Sequence, residues 1–250
     1  MDRWQNKIAV VTGASAGIGA AIIKDLVKAG LVVFGLARRV ERVRDLKKDL
    51  APELQKNLHA VQCDVSKEDE VKRVFNDIEA EFGSVDILVN NAGIIRSTEL
   101  VAPDNTQPIR EIIETNVMGV YYCTREAFNI MKKQNITGHV IVINSIAGRS
   151  VPYTPGGPSS NMYPASKHAI TAMTEVYRRE FHSHGTKVKI TNISPGVVDT
   201  EIFTDEVKNL MSGIPMLRPE DVSDAVLYAI STPPHVQIHE LVIKPLGEVF

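Results

Sequence analysis

The chain alternates short apolar, β-branched runs with stretches whose apolar positions recur every three or four residues. Residues 7–12, 31–36, 58–63, 86–89, 139–144, 187–193 and 240–243 read as strands. Several of these runs are continuously apolar rather than alternating, the pattern of parallel strands covered by helices on both faces. Between them, Val71, Val74, Phe75 and Ile78 fall on one stripe of an amphipathic helix. A repeated βαβ order predicts an α/β fold, an open, doubly wound parallel sheet with right-handed crossovers. The segment rich in Pro, Gly and Ser at 152–160 lies inside this alternation, so it reads as a loop and not as a boundary. The expectation is a single domain spanning 1–250.

Composition changes this picture little. The 250 residues carry 28 Lys and Arg against 30 Asp and Glu, a net charge of −2. That balance argues against a dedicated nucleic-acid binder and against a polybasic membrane patch. Two cysteines, Cys63 and Cys123, do not make a disulfide framework, and a reducing compartment suits them. The seven histidines show no metal-ligand spacing. No stretch approaches the ~18 apolar residues of a membrane span, and the polar start at 1–6 does not resemble a signal peptide. The expected location is cytoplasmic, with no membrane span.

Chemistry enters at the end of the first strand. There Gly13, Ser15, Gly17, Ile18 and Gly19 form a glycine-rich turn that opens a helix. Such glycines allow a tight turn and let backbone approach a pyrophosphate at a helix N-terminus. Taken alone they also suit an ordinary turn, and the P-loop Lys-Ser/Thr is missing. At the end of the second strand an NAD site expects an acidic residue on the ribose 2′-hydroxyl. This chain has Arg38 and Arg39 instead, and a guanidinium holds a 2′-phosphate where a carboxylate would repel it. Arg38, at the strand tip, is the favoured phosphate contact. Arg39 is the second choice, and it also fits a solvated helical turn. The implied cofactor is NADP(H).

A reaction centre follows. Tyr163 and Lys167 are four apart and share one helix face. A free tyrosine has a pKa of about 10, and a neighbouring cation favours its phenolate. Ser145, after the fifth strand, would stand at the carboxyl edge of the sheet, where its hydroxyl can donate to a carbonyl oxygen gaining charge. Asn116 sits among apolar residues of one long helix at 108–133. It either serves the site or holds a helix kink.

Together these motifs, with Asn90-Asn91-Ala92-Gly93 and Pro195-Gly196, resemble the short-chain dehydrogenase/reductase family over essentially the whole chain. The resemblance implies a seven-stranded Rossmann fold in which Tyr163 transfers the proton and Ser145 orients the carbonyl. It implies that Lys167 holds the nicotinamide ribose and lowers the tyrosine pKa, while Asn116 supports a water relay. It likewise places Asp64 and Val65 at the adenine, and Asn90, Ala92 and Gly93 along the adenosine side. Ile193, Val198 and Thr200 would flank the carboxamide, with Pro195 and Gly196 shaping that wall. A homodimer or homotetramer is implied, with Val117, Val120, Tyr121, Met173 and Val176 as contacts.

The stretches at 1–4, 123–127, 193–200 and 227–233 are similar to a narrower group, the insect farnesol dehydrogenase-like enzymes, which neighbour vertebrate NADP-dependent 17β-hydroxysteroid and carbonyl reductases. That likeness implies a small hydrophobic alcohol or carbonyl substrate, terpenoid or steroid. Apolar residues at 201–217 suit a lid over it, or ordinary core packing. Two features depart from the family pattern. The interval from Ser145 to Tyr163 is long, and Lys244-Pro245-Leu246-Gly247 replaces the usual Asp-Gly-Gly ending. A non-enzymatic NADPH-sensing regulator on the same fold is the alternative; its mark would be a missing catalytic residue, and none is missing.

Overall fold

Successive residues of a strand face opposite sides of a sheet, and in this chain both sides are apolar. A computed structural model describes residues 1–152 and 161–248. Its strands β1 (Ile8–Thr12), β2 (Val32–Ala37), β3 (Leu58–Gln62), β4 (Ile87–Asn90), β5 (His139–Ile143), β6 (Lys189–Pro195) and β7 (Glu240–Ile243) form one seven-stranded sheet. The order is β3-β2-β1-β4-β5-β6-β7, and every pairing is parallel. In chain order the helices are α1 (Gly17–Lys28), α2 (Val40–Asp45), α3 (Glu68–Phe82), α4 (Thr106–Ile113), α5 (Gly119–Lys133), α6 (Tyr163–Ser183), α7 (Asp205–Leu210) and α8 (Pro219–Ser231).

Val10, Leu88, Val140 and Val142 point into one core with Val71, Phe75, Cys123 and Ile170 of α3, α5 and α6. Their sequence neighbours Ala9, Val11, Ile87, Val89 and Ile141 point into a second core with Ile22, Leu26, Val222 and Val226 of α1 and α8. The continuous apolar runs therefore serve two cores at once. All seven strands lie within two residues of their expected bounds. The long helix expected at 108–133 is broken: α4 and α5 are joined by a π-helical turn at Glu114–Met118, which contains Asn116. The loop expected at 152–160 falls, beyond Pro152, outside the described residues.

Strand order reverses between β1 and β4, so their carboxyl ends splay apart and open a crevice. Every residue expected to do chemistry lies on loops at this edge of the sheet or at helix ends beside it.

At the opposite edge, β5 begins with a fully buried histidine. Thr191 donates its hydroxyl to Ile238 O at 2.6 Å, so the 2.9 Å contact with His139 Nε2 makes that nitrogen the donor. Nδ1 is buried without a partner among the described residues. Burial, with Lys189 and Arg3 nearby, pushes the His139 pKa down to about 3. The unfolded chain binds a proton near pH 6.5 that the fold refuses, so stability is full above about 6.5 and falls with acid until about pH 3. The expected slope is about 1.4 kcal/mol per pH unit inside that window. Urea midpoints at pH 6.5 and 5 should converge in His139→Leu; equal acid losses in both proteins would show that His139 is not the cause.

Candidate active site

β1 ends in Thr12, and the chain must turn at once to start α1. Gly13 (φ +64°) and Gly17 (φ +53°) take left-handed conformations there. A Cβ on Gly13 would lie 2.7 Å from Ala92 Cα, and one on Gly19 would lie 2.4 Å from Gly13 O. The turn is thus packed directly on the loop after β4. Asn91 staples the two, its side-chain amide donating to Thr12 O (2.9 Å) and Gly13 O (3.2 Å). The backbone N–H groups of Asn91 and Ala92 both donate to Thr12 Oγ1 at 3.0 Å. Ala16, at the N-cap position of α1, offers no capping side chain. The first-turn N–H groups therefore open on the crevice as an anion site, which fits a pyrophosphate.

β2 delivers Arg38 and Arg39, both exposed, to the crevice mouth. They are not equivalent. Arg39 Nη2 donates to Ser15 Oγ at 3.5 Å, and its Nη1 pairs with Glu201 at 3.0 Å. Arg38 makes no ion pair among the described residues, though its charge helps Arg96 hold the Glu111 carboxyl below the usual range. A free guanidinium beside an uncapped helix N-terminus and a serine hydroxyl fits a phosphorylated nucleotide.

β5 leads through Asn144 to Ser145, whose hydroxyl accepts from Ala147 N at 3.1 Å and caps a short 3₁₀ turn. Asn144 donates to Thr171 Oγ1 at 2.9 Å, fixing that turn to α6. α6 begins at Tyr163, with Pro164 preset for the first turn. One turn on, Lys167 is buried, with Nζ 5.7 Å from the centre of the Tyr163 ring. Nζ donates to Ile143 O at 3.0 Å.

The tyrosine pKa moves in the direction opposite to the expected lowering. Burial pushes the phenol up to about 12, and the hydrogen bond with Ser145 only partly offsets this. Burial also brings Lys167 down to about 8, because a dry site disfavours the ammonium.

Of the two roles left open for Asn116, the structure shows the break in the helix. Asn116 lies in the π-helical turn and clamps the loop after β4: Oδ1 accepts from Ile94 N at 2.9 Å, and Nδ2 donates to Ile94 O (3.0 Å) and Ser166 Oγ (3.2 Å). Gly93 lies against both Asn116 and Lys167. A Cβ there would be 3.6 Å from Asn116 Oδ1 and 3.9 Å from Lys167 Nζ.

A crevice of about 650 Å³ joins these parts. Gly13, Ser15, Gly17, Ile18, Arg38, Arg39, Asp64, Val65, Ala92, Gly93, Ser145, Tyr163, Lys167, Pro195, Gly196, Val198 and Thr200 all line it. Gly19, Asn90, Asn116 and Ile193 do not. Gly19 stands behind the turn, Asn90 turns its amide to Thr124 (2.9 Å), and Ile193 is fully buried in the sheet. Residues to which the sequence reading gave no role include Ile94, Ile95, Arg96, Thr115, Glu201 and, though it stands inside a quoted motif, Asn91. Asn91 belongs to that motif and Glu201 adjoins Thr200, which was the available signal.

Ile202, Phe203, Val207, Leu210 and Met211 line the same crevice and stay partly or largely exposed. The segment is a wall or lid over the crevice, not core packing. Of the expected oligomer contacts, Tyr121 and Val176 are exposed, whereas Val120 turns inward and is buried beneath α5.

A family model described as short chain dehydrogenase matches residues 7–210. The chain is 55% identical over 250 residues, all of both proteins, to farnesol dehydrogenase of Aedes aegypti. It is 38% identical to dehydrogenase/reductase SDR family member 11 of Mus musculus, covering all of this chain and 98% of that one. Among solved structures, the closed form of serine dehydrogenase complexed with NADP+ superposes with a TM-score of 0.85 at 34% identity, covering 97% of this chain and 96% of that one. With the family match over most of its length and a relative 55% identical over the whole of it, the chain belongs to the short-chain dehydrogenase family of oxidoreductases.

Proposed function

We propose that the protein interconverts a small hydrophobic alcohol and its carbonyl compound with NADP(H), Tyr163 carrying the proton. The single observation behind this is the crevice itself. One end has arginines and an uncapped helix terminus for a phosphorylated nucleotide, the middle has Ser145, Tyr163 and Lys167, and the far wall is apolar. The bound nicotinamide supplies or accepts the hydride. The NADP named with the serine dehydrogenase relative and the farnesol named with the mosquito relative support the same reading.

In this reading Gly13–Gly19 and Arg38 hold the nucleotide, and Ser145 donates to the carbonyl oxygen as charge builds on it. Tyr163, neutral in the resting protein, gives its proton to that oxygen during reduction. Lys167 then stabilises the phenolate. A homodimer or homotetramer is supported by the exposed apolar Tyr121 and Val176 on neighbouring helices. A cytoplasmic setting is supported by two free, buried cysteines. Among the described residues, no helix is long and apolar enough to cross a membrane.

The purified chain should oxidise NADPH with farnesal or another apolar carbonyl. Binding of NADPH without turnover across terpenoid and steroid panels would overturn the reading. A pH profile adds detail. Lys167 is charged below about pH 8, so reduction should be fastest below that value and decline above it. Lys167→Met should remove this basic limb; its persistence would assign the limb elsewhere.

A further inference from the structure

Glu201 was not among the residues that motifs single out, yet it reaches across the crevice mouth. It follows Thr200, whose Cγ2 would lie 2.9 Å from a Cβ placed on Gly17, so this segment crosses directly over the glycine turn. Its carboxylate accepts from Arg42 Nη1 at 2.8 and 2.9 Å and pairs with Arg39 Nη1 at 3.0 Å. The partners come from the loop after β2 and from α2, about 160 residues away in the chain.

We propose that Glu201 is an internal counter-anion for Arg39 and Arg42, competing with the 2′-phosphate of NADP(H) and thereby setting cofactor preference and release. The inference rests on the NADP(H) reading above. A carboxylate and a phosphate monoester bind the same guanidinium faces through charge-assisted hydrogen bonds. Arg39 also touches Ser15 of the glycine turn, so it stands on the nucleotide's side of the mouth rather than out in solvent. Arginines occupied by Glu201 are less available to an incoming phosphate, whereas NADH, which lacks that phosphate, meets no such competition.

The arrangement suits exchange rather than scaffolding. The side chains of Arg39, Arg42 and Glu201 are about half exposed, at 52%, 49% and 56%. An ion pair in such a setting is weak and quickly broken. The other carboxylate lining the crevice, Asp64, is already held by Ser66, whose N–H and hydroxyl donate to its Oδ1 at 3.0 and 2.8 Å. Because Glu201 directly precedes Ile202 and Phe203 of the apolar wall, freeing it also unties the start of that wall.

The test is Glu201→Gln, with NADPH and NADH affinities read by fluorescence titration and NADPH release by stopped flow. NADPH should bind about threefold more tightly and leave more slowly, a scale set by exposed ion pairs, with NADH unchanged. Glu201→Asp, which keeps the charge, should retain the wild-type ratio. In an Arg39→Met, Arg42→Met background the Glu201→Gln effect should vanish. An unchanged NADPH-to-NADH ratio, or weaker NADPH binding, would overturn the competition. If the wild-type protein itself binds both nucleotides equally, the NADP(H) reading fails; if wild type prefers NADPH and Glu201→Gln does not shift the ratio, only the role of Glu201 fails.

Discussion

Tyr163→Phe is expected to lower turnover by about 1,000-fold, the middle of the range for losing a general acid. The substitution removes one oxygen and keeps the ring, so α6 still starts at the same place and its packing survives. Ser145 keeps its bond to Ala147 N and remains positioned. Nucleotide affinity should stay within about twofold, because the phosphate-binding half of the crevice lies on β1, β2 and α1, remote from the phenol. The measurements are single-turnover rates of NADPH oxidation and a parallel titration of NADPH binding. A fall in kcat with unchanged affinity is the signature of a group acting on the reacting atoms. Turnover within tenfold of wild type would remove Tyr163 from the proton path and leave Ser145 or solvent to supply it.

Arg38→Asp should reverse the choice of nucleotide. A hydrogen bond to a charged group contributes about 1.5–3 kcal/mol, so losing the guanidinium alone costs roughly 10- to 100-fold in NADPH affinity. The new carboxylate adds repulsion toward a 2′-phosphate and offers an acceptor to a ribose 2′-hydroxyl. The NADPH-over-NADH preference should therefore fall by at least about 100-fold. Arg38 is chosen over Arg39 on structural grounds. Arg39 is shared with Glu201 and Ser15, whereas Arg38 has no ion pair among the described residues to hold it back. The ratio of kcat/KM for the two nucleotides decides the matter. An unchanged preference would transfer the phosphate to Arg39 and Arg42.

Much of the site was legible beforehand because its chemistry is local. Gly13 and Gly17 had to be glycine for a turn that only left-handed backbone makes, and Tyr163 and Lys167 share a face by helical spacing alone. Asn116 was legible only as an alternative. Its neighbours promised an uninterrupted helix, and the π-helical turn arises because its amide bonds to Ile94, 22 residues away. The pKa of Tyr163 shows the limit most plainly. The spacing to Lys167 suggested a lowered value, but the depth of the crevice sets the desolvation that raises it to about 12. Glu201 escaped notice for the same reason, since its partners are far away in the chain.

The sequence by itself determined the seven parallel strands, the glycine turn, the arginines after β2 and the shared helix face of Tyr163 and Lys167. Each depends on periodicity, backbone freedom or spacing within a few residues. Tertiary structure alone decided which arginine is free, which way Asn90 and Asn116 turn their amides, that the segment at 201–211 lines the crevice, and how strongly the site is dried. Those outcomes depend on distances between segments that meet only when the sheet order reverses at β1 and β4, and on the water that their meeting excludes.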